Sequence, residues 1–502
     1  MYKGSYIQGH FVKVTQVNGT FRAFNPGDLE DKQIEIPFSF EHAQEAATAA
    51  KRSFHTFRRL PSADRLNAIK EYQRILKSQS QVTAELISWE TGKPLWESTS
   101  EVETCVRIID QFLEQGCRIV AEQKVQNVVP GADGCYRFLP NGAMVVMSPP
   151  HLPLVSPHLH FIPALIFGNT IILKPAKDTP LVGQKIAEMF HDAGMFAGAF
   201  NLVQGNGELA RRLVIHPDVD GLFYSGSHET AIQVRRQVVS DYWKVAVYET
   251  SGVNAMVIWE DANYEQALYD TFLASFMTAG QRFSSTSRVL VHKKWIDAFI
   301  KDFHQLAKNC AIGYNLSTKS PVPFMGPLMN EQTMEHYVRV QGIAIREGCE
   351  EIMRGKVLER EKKGYYVSPS IHMVPAPDTK SIYQKTPFLG PNVAIHQIED
   401  IQQASEILNL PQHNWVTSIY SQSEKNFTAL ADEALYGQLH WNRPTTEITA
   451  MLPIAGIRKS GNQRPMGSFS AYQCNFPVSS IIGPAQLDEA SLPKSLPRLN
   501  AE

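Results

Sequence analysis

Cysteine is scarce in this sequence, which has six cysteines in 502 residues. No two of them show the two-residue spacing of metal or redox motifs, and no histidines accompany them at metal-finger spacing. We therefore expect free thiols in a reducing compartment and predict no metal site. The cysteines are Cys105, Cys117, Cys135, Cys310, Cys349 and Cys474.

A surplus of charge is also missing. The 48 lysines and arginines are balanced by 50 aspartates and glutamates, which gives a formal net charge of −2. Such a chain has no bulk attraction for nucleic acid or for an anionic membrane surface. Small-molecule ligands and protein partners remain as candidates.

Long apolar runs are absent as well. The longest such stretch, residues 161–173, is interrupted by Pro163, Gly168 and Asn169. It falls short of the ~20 residues that a membrane-spanning helix needs. The N-terminus leads into polar sequence without the apolar segment of a signal peptide. We expect a soluble protein that stays where it is made, most simply in the cytoplasm.

What is present is the composition of an ordinary globular protein, with 43% hydrophobic and 20% charged residues. From residue 143, short β-rich runs alternate with amphipathic segments, which predicts an α/β fold with a doubly wound parallel sheet. Ligands of such sheets bind beyond the carboxyl ends of the strands. The predicted strands are 143–148, 169–174, 199–204, 221–225 and 244–249, and the predicted helices are 183–193, 208–215 and 229–239. A second α/β series begins at residue 255.

Four positions carry residues suited to chemistry, and three of them lie at strand ends. Lys174 could hold a ribose or phosphate oxygen, or it could be a solvated lysine. Gly226 and Ser227 begin a helix whose free N–H groups could bind a pyrophosphate, although a simple helix cap explains them equally well. Glu249 closes an apolar strand and needs either a buried partner or a role as general base. Residues 278–285 form the fourth position, a loop between a helix and a strand.

Short motifs throughout the chain resemble those of the aldehyde dehydrogenase superfamily. They are Glu90-Thr91-Gly92-Lys93-Pro94, Pro163-Ala164-Leu165, Gly168-Asn169-Thr170, Lys174-Pro175, Asn201-Leu202-Val203-Gln204-Gly205, His216-Pro217-Asp218-Val219-Asp220, Ser225-Gly226-Ser227, Ala279-Gly280-Gln281 and Gly390-Pro391. Four stretches look most like the succinylglutamate-semialdehyde dehydrogenases of arginine catabolism, namely Glu90–Trp96, Gln281-Arg282, Trp441-Asn442-Arg443-Pro444 and Ser460-Gly461-Asn462-Gln463-Arg464-Pro465.

The resemblance implies an aldehyde dehydrogenase fold of three parts and a homodimer or homotetramer. These parts are a Rossmann-like coenzyme domain, a catalytic α/β domain and a small β oligomerisation element. The expected boundaries are 1–125 with 141–250 for coenzyme, 251–445 for catalysis, 126–140 with 446–485 for oligomerisation, and 486–502 for a tail. Within the third part we expect a hairpin over 126–140 and a C-terminal strand over 470–482.

The reaction of the family needs a thiolate nucleophile, an oxyanion donor and a glutamate that activates water. Glu249 occupies the position of that glutamate. Phe283, however, occupies the position of the cysteine, and His151 that of the oxyanion asparagine. Pro387 stands where the family has the glutamate that holds the nicotinamide ribose.

The cofactor implied by the resemblance is NAD or NADP, if one still binds. The residues matching the cofactor motifs are Lys174, Lys177, Gly226, Ser227, His228, Glu229, Thr230 and Ala231. Ala231 replaces the last glycine of the pyrophosphate turn. Lys177 replaces an acidic residue and would favour the 2′-phosphate of NADP, unless it is a surface lysine without a partner.

Arg282 and Arg288 lie near the substrate mouth that the resemblance implies, which would receive a carboxylated aldehyde, and Arg443 and Arg464 could add to such a cradle. Arg282 and Arg443 are the candidate substrate-binding residues. Each of the four arginines could equally belong to a structural ion pair.

Two functions stay open. The first is a pseudoenzyme that acts as a binding or scaffold subunit. The second is an active NAD(P)-dependent semialdehyde dehydrogenase that oxidises an aldehyde to a carboxylate. The second would need a thiol from elsewhere, such as Cys117 or Cys310, or a serine nucleophile at Ser284 or Ser285.

Overall fold

The computed structural model describes residues 1–116, 118–486 and 492–497. Cys117 and most of the expected tail, residues 487–491 and 498–502, lie outside them. Elements are numbered in chain order. The helices are α1 Glu41–Phe57, α2 Ser62–Ser78, α3 Ser80–Thr91, α4 Leu95–Gln115, α5 Val155–Ile166, α6 Pro180–Asp192, α7 Gly207–Val214, α8 His228–Val238, α9 Tyr264–Phe276, α10 Ile296–Lys308, α11 Glu331–Arg346, α12 Ile382–Lys385, α13 Ile401–Asn409, α14 Glu424–Glu433 and α15 Ser470–Cys474. Short 3₁₀ helices cover Arg118–Val120 and Met277–Gly280.

The first large sheet has seven strands. In spatial order they are β11 Val245–Thr250, β10 Gly221–Gly226, β7 Ala143–Met147, β8 Thr170–Lys174, β9 Phe200–Leu202, β1 Ser5–Ile7 and β2 His10–Val12. The five strands from β11 to β9 are parallel, and β1 adds antiparallel to β9. The chain runs outward from β7 through β8 to β9 and then returns to place β10 on the other side of β7. This reversal is the topological switch point at which doubly wound folds bind ligands.

The second large sheet also has seven strands. In spatial order they are β14 Glu350–Met353, β15 Ser370–Met373, β16 Asn392–Ile398, β13 Thr286–His292, β12 Asn254–Ile258, β18 Val416–Tyr420 and β19 Gln438–Trp441. All neighbours are parallel except β14 with β15. The second α/β series expected from the sequence is thus present.

A smaller antiparallel sheet joins β5 Gln123–Val129, β6 Ala132–Pro140 and β23 Asn475–Ile482. The hairpin therefore begins three residues earlier than expected. Of the expected strand over 470–482, the first five residues form helix α15. Short strand pairs complete the fold: β3 Gly19–Ala23 with β4 Ile34–Phe38, β17 His413–Asn414 with β21 Ile457–Arg458, and β20 Pro453–Ile454 with β22 Met466–Gly467.

Strand β7 explains why the first sheet is buried on both faces. Every residue of Ala143–Met147 is buried. Met144 and Val146 belong to one hydrophobic cluster, whereas Val145 belongs to the cluster on the opposite face. Side chains of a strand alternate between faces, so a run that is apolar at every position requires helices on both sides. The continuous apolar runs of the sequence thus predict this layered fold.

Within the described residues, no helix combines the length and the apolar character that crossing a membrane requires.

Candidate active site

Phe283 and His151 lie against each other where two loops meet. His151 follows β7 of the first sheet, and Phe283 lies in the loop that precedes β13 of the second sheet. The centroids of their rings are 4.2 Å apart, with an angle of 53° between the ring planes. The residues at the expected nucleophile and oxyanion positions are therefore in direct contact.

His151 is an uncharged side chain in this setting. It is only 4% exposed. Burial, and then the positive charges of Lys93 and Arg282, hold its pKa well below the usual value for histidine. A neutral imidazole has one N–H, so His151 can donate at most one hydrogen bond.

Helix α4 holds the loop that leads to Phe283. The buried carboxylate of Glu97 accepts hydrogen bonds from the Thr278 N–H at 2.9 Å and from Arg282 Nη2 at 2.8 Å, and it also contacts the Thr278 hydroxyl. Thr278 and Ala279 have φ angles of 57° and 50°, in the left-handed region. Such a backbone persists only where its surroundings fix it, and Glu97 does so here.

One turn further along α4, Glu101 holds the loop that carries His151. Its carboxylate accepts the N–H groups of Leu154 at 3.0 Å and Val155 at 3.2 Å. It also forms a buried ion pair with Lys93, whose Nζ donates to the His151 carbonyl at 3.2 Å. A carboxylate is favourable at the N-terminus of α5 because the helix presents unpaired N–H groups there. One helix thus fixes both loops.

Sequence reasoning assigned no role to Glu97 or Glu101. Their position in the sequence indicated a buried role, because both lie on the buried face of α4 that continues through Cys105, Ile108 and Phe112. A carboxylate in an apolar stripe needs a buried partner. That partner could not be identified before the fold brought distant loops together.

Two glycine motifs meet beside the same loop. Gly280 has a φ of 67°, and a Cβ atom added to it would lie 2.2 Å from the Gly390 carbonyl oxygen. The Gly390 N–H in turn donates to the Gly280 carbonyl at 3.2 Å. The motifs around residues 280 and 390 are therefore two sides of one close backbone contact.

Glu249, the candidate base, sits at the carboxyl end of β11 and is 5% exposed. Its Oε2 accepts a hydrogen bond from Ser225 Oγ at 2.7 Å and lies 3.2 Å from His160 Nε2. Oε1 has no hydrogen-bond partner among the described residues. The carboxylate is thus held on one oxygen, and the other remains available to a donor.

The two expected cofactor regions lie at the ends of β8 and β10, with β7 between them, about 10 Å apart by the usual strand spacing. Lys174 Nζ donates to the Pro175 carbonyl at 3.0 Å, and burial lowers the pKa of Lys174 to about 8 while nearby Asp178 acts in the opposite direction. Lys177 makes no hydrogen bond or ion pair within the described part of the chain. Both ammonium groups keep donors for a ligand.

The turn after β10 forms the N-terminus of helix α8. A Cβ at Gly226 would lie 2.2 Å from the Tyr224 hydroxyl, so a larger residue there would require the Tyr224 side chain to move. Ser227 Oγ accepts the Thr230 N–H at 3.2 Å and caps α8. His228 Nδ1 donates to the Lys459 carbonyl at 3.1 Å. Glu229 is exposed, and Ala231 packs into a hydrophobic cluster.

A cavity of about 400 Å³ lies beside this centre. Arg282 and Arg443, both expected at the substrate, line it. Phe283, His151 and Glu249 are not part of the lining, although Leu152 and Ser284, which follow His151 and Phe283 in the chain, are. The cavity therefore ends at the two loops and does not reach the candidate base.

Two further arginines lie elsewhere than expected. Arg288 is 3% exposed and donates to the carbonyls of Val253 at 3.0 Å and Ile407 at 2.5 Å. Burial lowers its pKa to about 9. Arg464 contacts Gln473 and does not line the cavity. The expectation that Arg288 and Arg464 add to a substrate cradle is therefore wrong, since one lies inside the second sheet and the other faces another segment.

The described residues contain no group of three or more histidine, cysteine, aspartate or glutamate side chains placed to hold a metal ion.

Sequence relatives agree with this architecture. The chain is 27% identical over 441 residues to an N-succinylglutamate 5-semialdehyde dehydrogenase of Novosphingobium aromaticivorans, covering 87% of this chain and 91% of the relative. It is 28% identical over 473 residues to the enzyme of the same name from Chromobacterium violaceum, covering 94% of each chain.

Solved structures share the fold. The NAD⁺ complex of an aldehyde dehydrogenase from Bacillus cereus superposes with a TM-score of 0.90 at 24% identity, covering 96% of this chain and 97% of that one. A betaine aldehyde dehydrogenase from Staphylococcus aureus gives 0.91 at 21% identity, covering 98% of each chain. The model of the aldehyde dehydrogenase family matches residues 13–475. The chain belongs to the aldehyde dehydrogenase family.

Proposed function

We propose that this chain is a catalytically degenerate aldehyde dehydrogenase that binds a small ligand without oxidising it. The observation that carries the proposal is the contact of Phe283 with His151, whose rings lie 4.2 Å apart. A benzyl group cannot form the thiohemiacetal from which hydride leaves. A ring at this point also excludes an aldehyde from the space between the loops.

The other thiols do not replace the missing one. None of the described cysteines lines the cavity beside Phe283. Burial raises the pKa of Cys310 to about 12 and that of Cys349 to about 11. Since the thiolate is the nucleophile, such thiols are unreactive near neutral pH. Ser284 lines the cavity, but its side chain makes no hydrogen bond to a basic group among the described residues.

NAD or NADP fits only one half of the expected site. Lys174, Lys177 and the turn at Gly226 and Ser227 offer an ammonium pair and helix N–H groups, which suit an adenosine ribose and a pyrophosphate. Where the nicotinamide ribose would need a carboxylate, Pro387 offers no acceptor on its side chain. The nicotinamide half does not fit, so no hydride step is assigned.

We also infer assembly of like chains through the small sheet of β5, β6 and β23. It exposes a set of large apolar side chains: Val125, Val128, Val129, Tyr136, Phe476, Ile481 and Ile482. Exposed apolar area of this kind marks a protein contact. A homodimer or homotetramer would cover it.

A second candidate, an active NAD(P)-dependent semialdehyde dehydrogenase, is favoured by Glu249. Its Oε1 has no hydrogen-bond partner in the described part of the chain, and its Oε2 is held by Ser225. This arrangement suits a base that activates water. Without an acyl-enzyme, however, this base has nothing to hydrolyse.

The test is an assay of the purified chain with NAD and NADP against aldehydes that include succinylglutamate semialdehyde, with the Chromobacterium violaceum enzyme as positive control. We expect no turnover. Phe283→Cys alone should not restore it, because His151 and Pro387 still lack the oxyanion and ribose functions. Turnover that survives Ser284→Ala and Ser285→Ala would remove the proposal.

A further inference from the structure

The charges around the cavity are unequally compensated. Of its arginines, Arg443 pairs with Glu447 of the same lining, with 2.9 Å between Nε and Oε2. Arg282 pairs with Glu97 at 2.8 Å behind the cavity wall. The cations that the sequence suggested as a cradle are therefore already neutralised.

Arg107 differs from both. It lines the cavity from α4, and its Nη2 donates only to the hydroxyl of Thr104 at 3.3 Å. It forms no ion pair with any described residue, although Glu103 lies one turn earlier on the same helix. The remaining lining carboxylate, Glu101, is paired with Lys93. One positive charge is thus left over, and Arg107 carries it.

The surroundings of Arg107 are built for polar contacts. Ser100, Thr104, Arg107 and Gln111 all line the cavity, and their spacing places them on one face of α4. Gln111 is itself fixed, since its Nε2 donates to Thr449 Oγ1 at 3.0 Å and its Oε1 accepts the Ala450 N–H at 2.7 Å. These two hydrogen bonds tie α4 to residues 449–450 and so hold the opposite wall of the cavity in place.

The inner end of the cavity offers a donor of a different kind. The side chain of Arg282 is 11% exposed. Its Nε and Nη2 are used by Thr278 and Glu97, whereas Nη1 makes no hydrogen bond to a described residue. Because Glu97 already balances the charge of Arg282, this position suits an uncharged carbonyl or amide oxygen more than a second anion.

We propose that Arg107 is the anion-recognising residue of the cavity, which takes a small molecule with one carboxylate at Arg107 and a neutral hydrogen-bond acceptor further in. The volume of about 400 Å³ lies within the range of small-molecule sites. The inference rests on the proposed function in one respect, namely that the ligand is held and not oxidised.

The experiment is calorimetric titration of the full chain with succinamate, which carries one carboxylate and one amide, and with the neutral diamide succinamide. We expect succinamate to bind more tightly, and its affinity to fall as salt increases, because Arg107 is exposed. Arg107→Gln should weaken succinamate binding about tenfold and leave succinamide unchanged. Arg107→Lys, which keeps the charge, should retain most of the preference.

Two further variants separate Arg107 from general charge effects. Arg443→Gln should change succinamate binding less than Arg107→Gln does, because Glu447 already compensates Arg443. Arg74→Gln, an exposed ion-pair residue on α2, controls for the loss of one positive charge. Equal binding of the two probes, absence of succinamate binding, or an unchanged ratio of affinities in Arg107→Gln would overturn the inference.

The outcome is independent of the assay for aldehyde oxidation. Turnover in that assay would remove the proposed function, while a charge preference lost in Arg107→Gln would still assign the site. No effect of Arg107→Gln would remove this inference and leave the proposed function standing.

Discussion

At the scale of single residues, the buried glutamates of α4 and α3 carry more of the site's architecture than its expected catalytic side chains do. Glu97 and Glu101 hold the two loops, and Glu90 holds the start of α6 through the N–H groups of Leu181 and Val182, both at 2.8 Å. Each of these three glutamates accepts several hydrogen bonds from the protein in place of hydrogen bonds from water. Removing one partner leaves a buried polar group unpaired.

Glu97→Gln should destabilise the fold strongly. The amide keeps the shape of the side chain but leaves Arg282 buried without a counter-ion, which typically costs about 3–5 kcal/mol. Glu447→Gln is the matched control, since it breaks the exposed pair with Arg443 and should cost below about 1 kcal/mol. Urea denaturation measures both, and similar midpoints for the two variants would contradict the role of Glu97.

Glu90 should make stability fall with rising pH. Burial raises the pKa of Glu90 to about 8, against the opposing effect of the N–H groups of Leu181 and Val182. The folded state therefore keeps this proton at pH values where the unfolded chain has lost it, so the stabilisation present below the unfolded pKa is lost as pH approaches 8.

Between pH 5 and pH 8 this loss amounts to about 3 kcal/mol. In Glu90→Gln the unfolding free energy should change less with pH over that interval. Glu85→Gln, on the exposed face of the same helix, should follow the unaltered protein. Identical pH profiles for both variants would show that Glu90 is not protonated in the folded state.

At the scale of elements, the loop before β13 is fixed from two sides, by α4 through Glu97 and by the segment at residue 390. Gly280 is where the second contact is made. Its motif could be recognised in the sequence, but the sequence does not show that residues 280 and 390 touch. That contact depends on the register of β13 with β16 in the second sheet.

Gly280→Ala tests this contact against a glycine of matched backbone. Gly280 and Gly194 have φ angles of 67° and 65°, but an added Cβ meets the Gly390 carbonyl at 2.2 Å in the first case and nothing within 4 Å in the second. Gly194→Ala should cost about 1–2 kcal/mol from backbone strain alone. Gly280→Ala should cost clearly more, as read from thermal or urea unfolding. Equal losses would mean that the loop moves freely away from residue 390.

At the scale of the whole molecule, the small sheet leaves apolar side chains without a partner in a single chain. The double variant Ile481→Asp with Ile482→Asp should shift the protein toward its monomer mass of 56.3 kDa in light scattering, because a charge in an apolar contact is poorly tolerated. Val17→Asp, at an exposed position outside this sheet, is the control. An unchanged mass in the double variant would place any assembly elsewhere.

The sequence by itself determined the layered α/β fold, because an apolar residue at every position of β7 requires helices on both faces of the sheet. That Phe283, His151 and Pro387 stand at the reacting positions of the family stays a prediction from the sequence motifs. Only the tertiary structure decided that Phe283 and His151 touch, that Arg288 lies inside a sheet, and that Arg107 forms no ion pair with any described residue. Pairing depends on which distant segments the fold brings together, and local residue patterns carry no information on that.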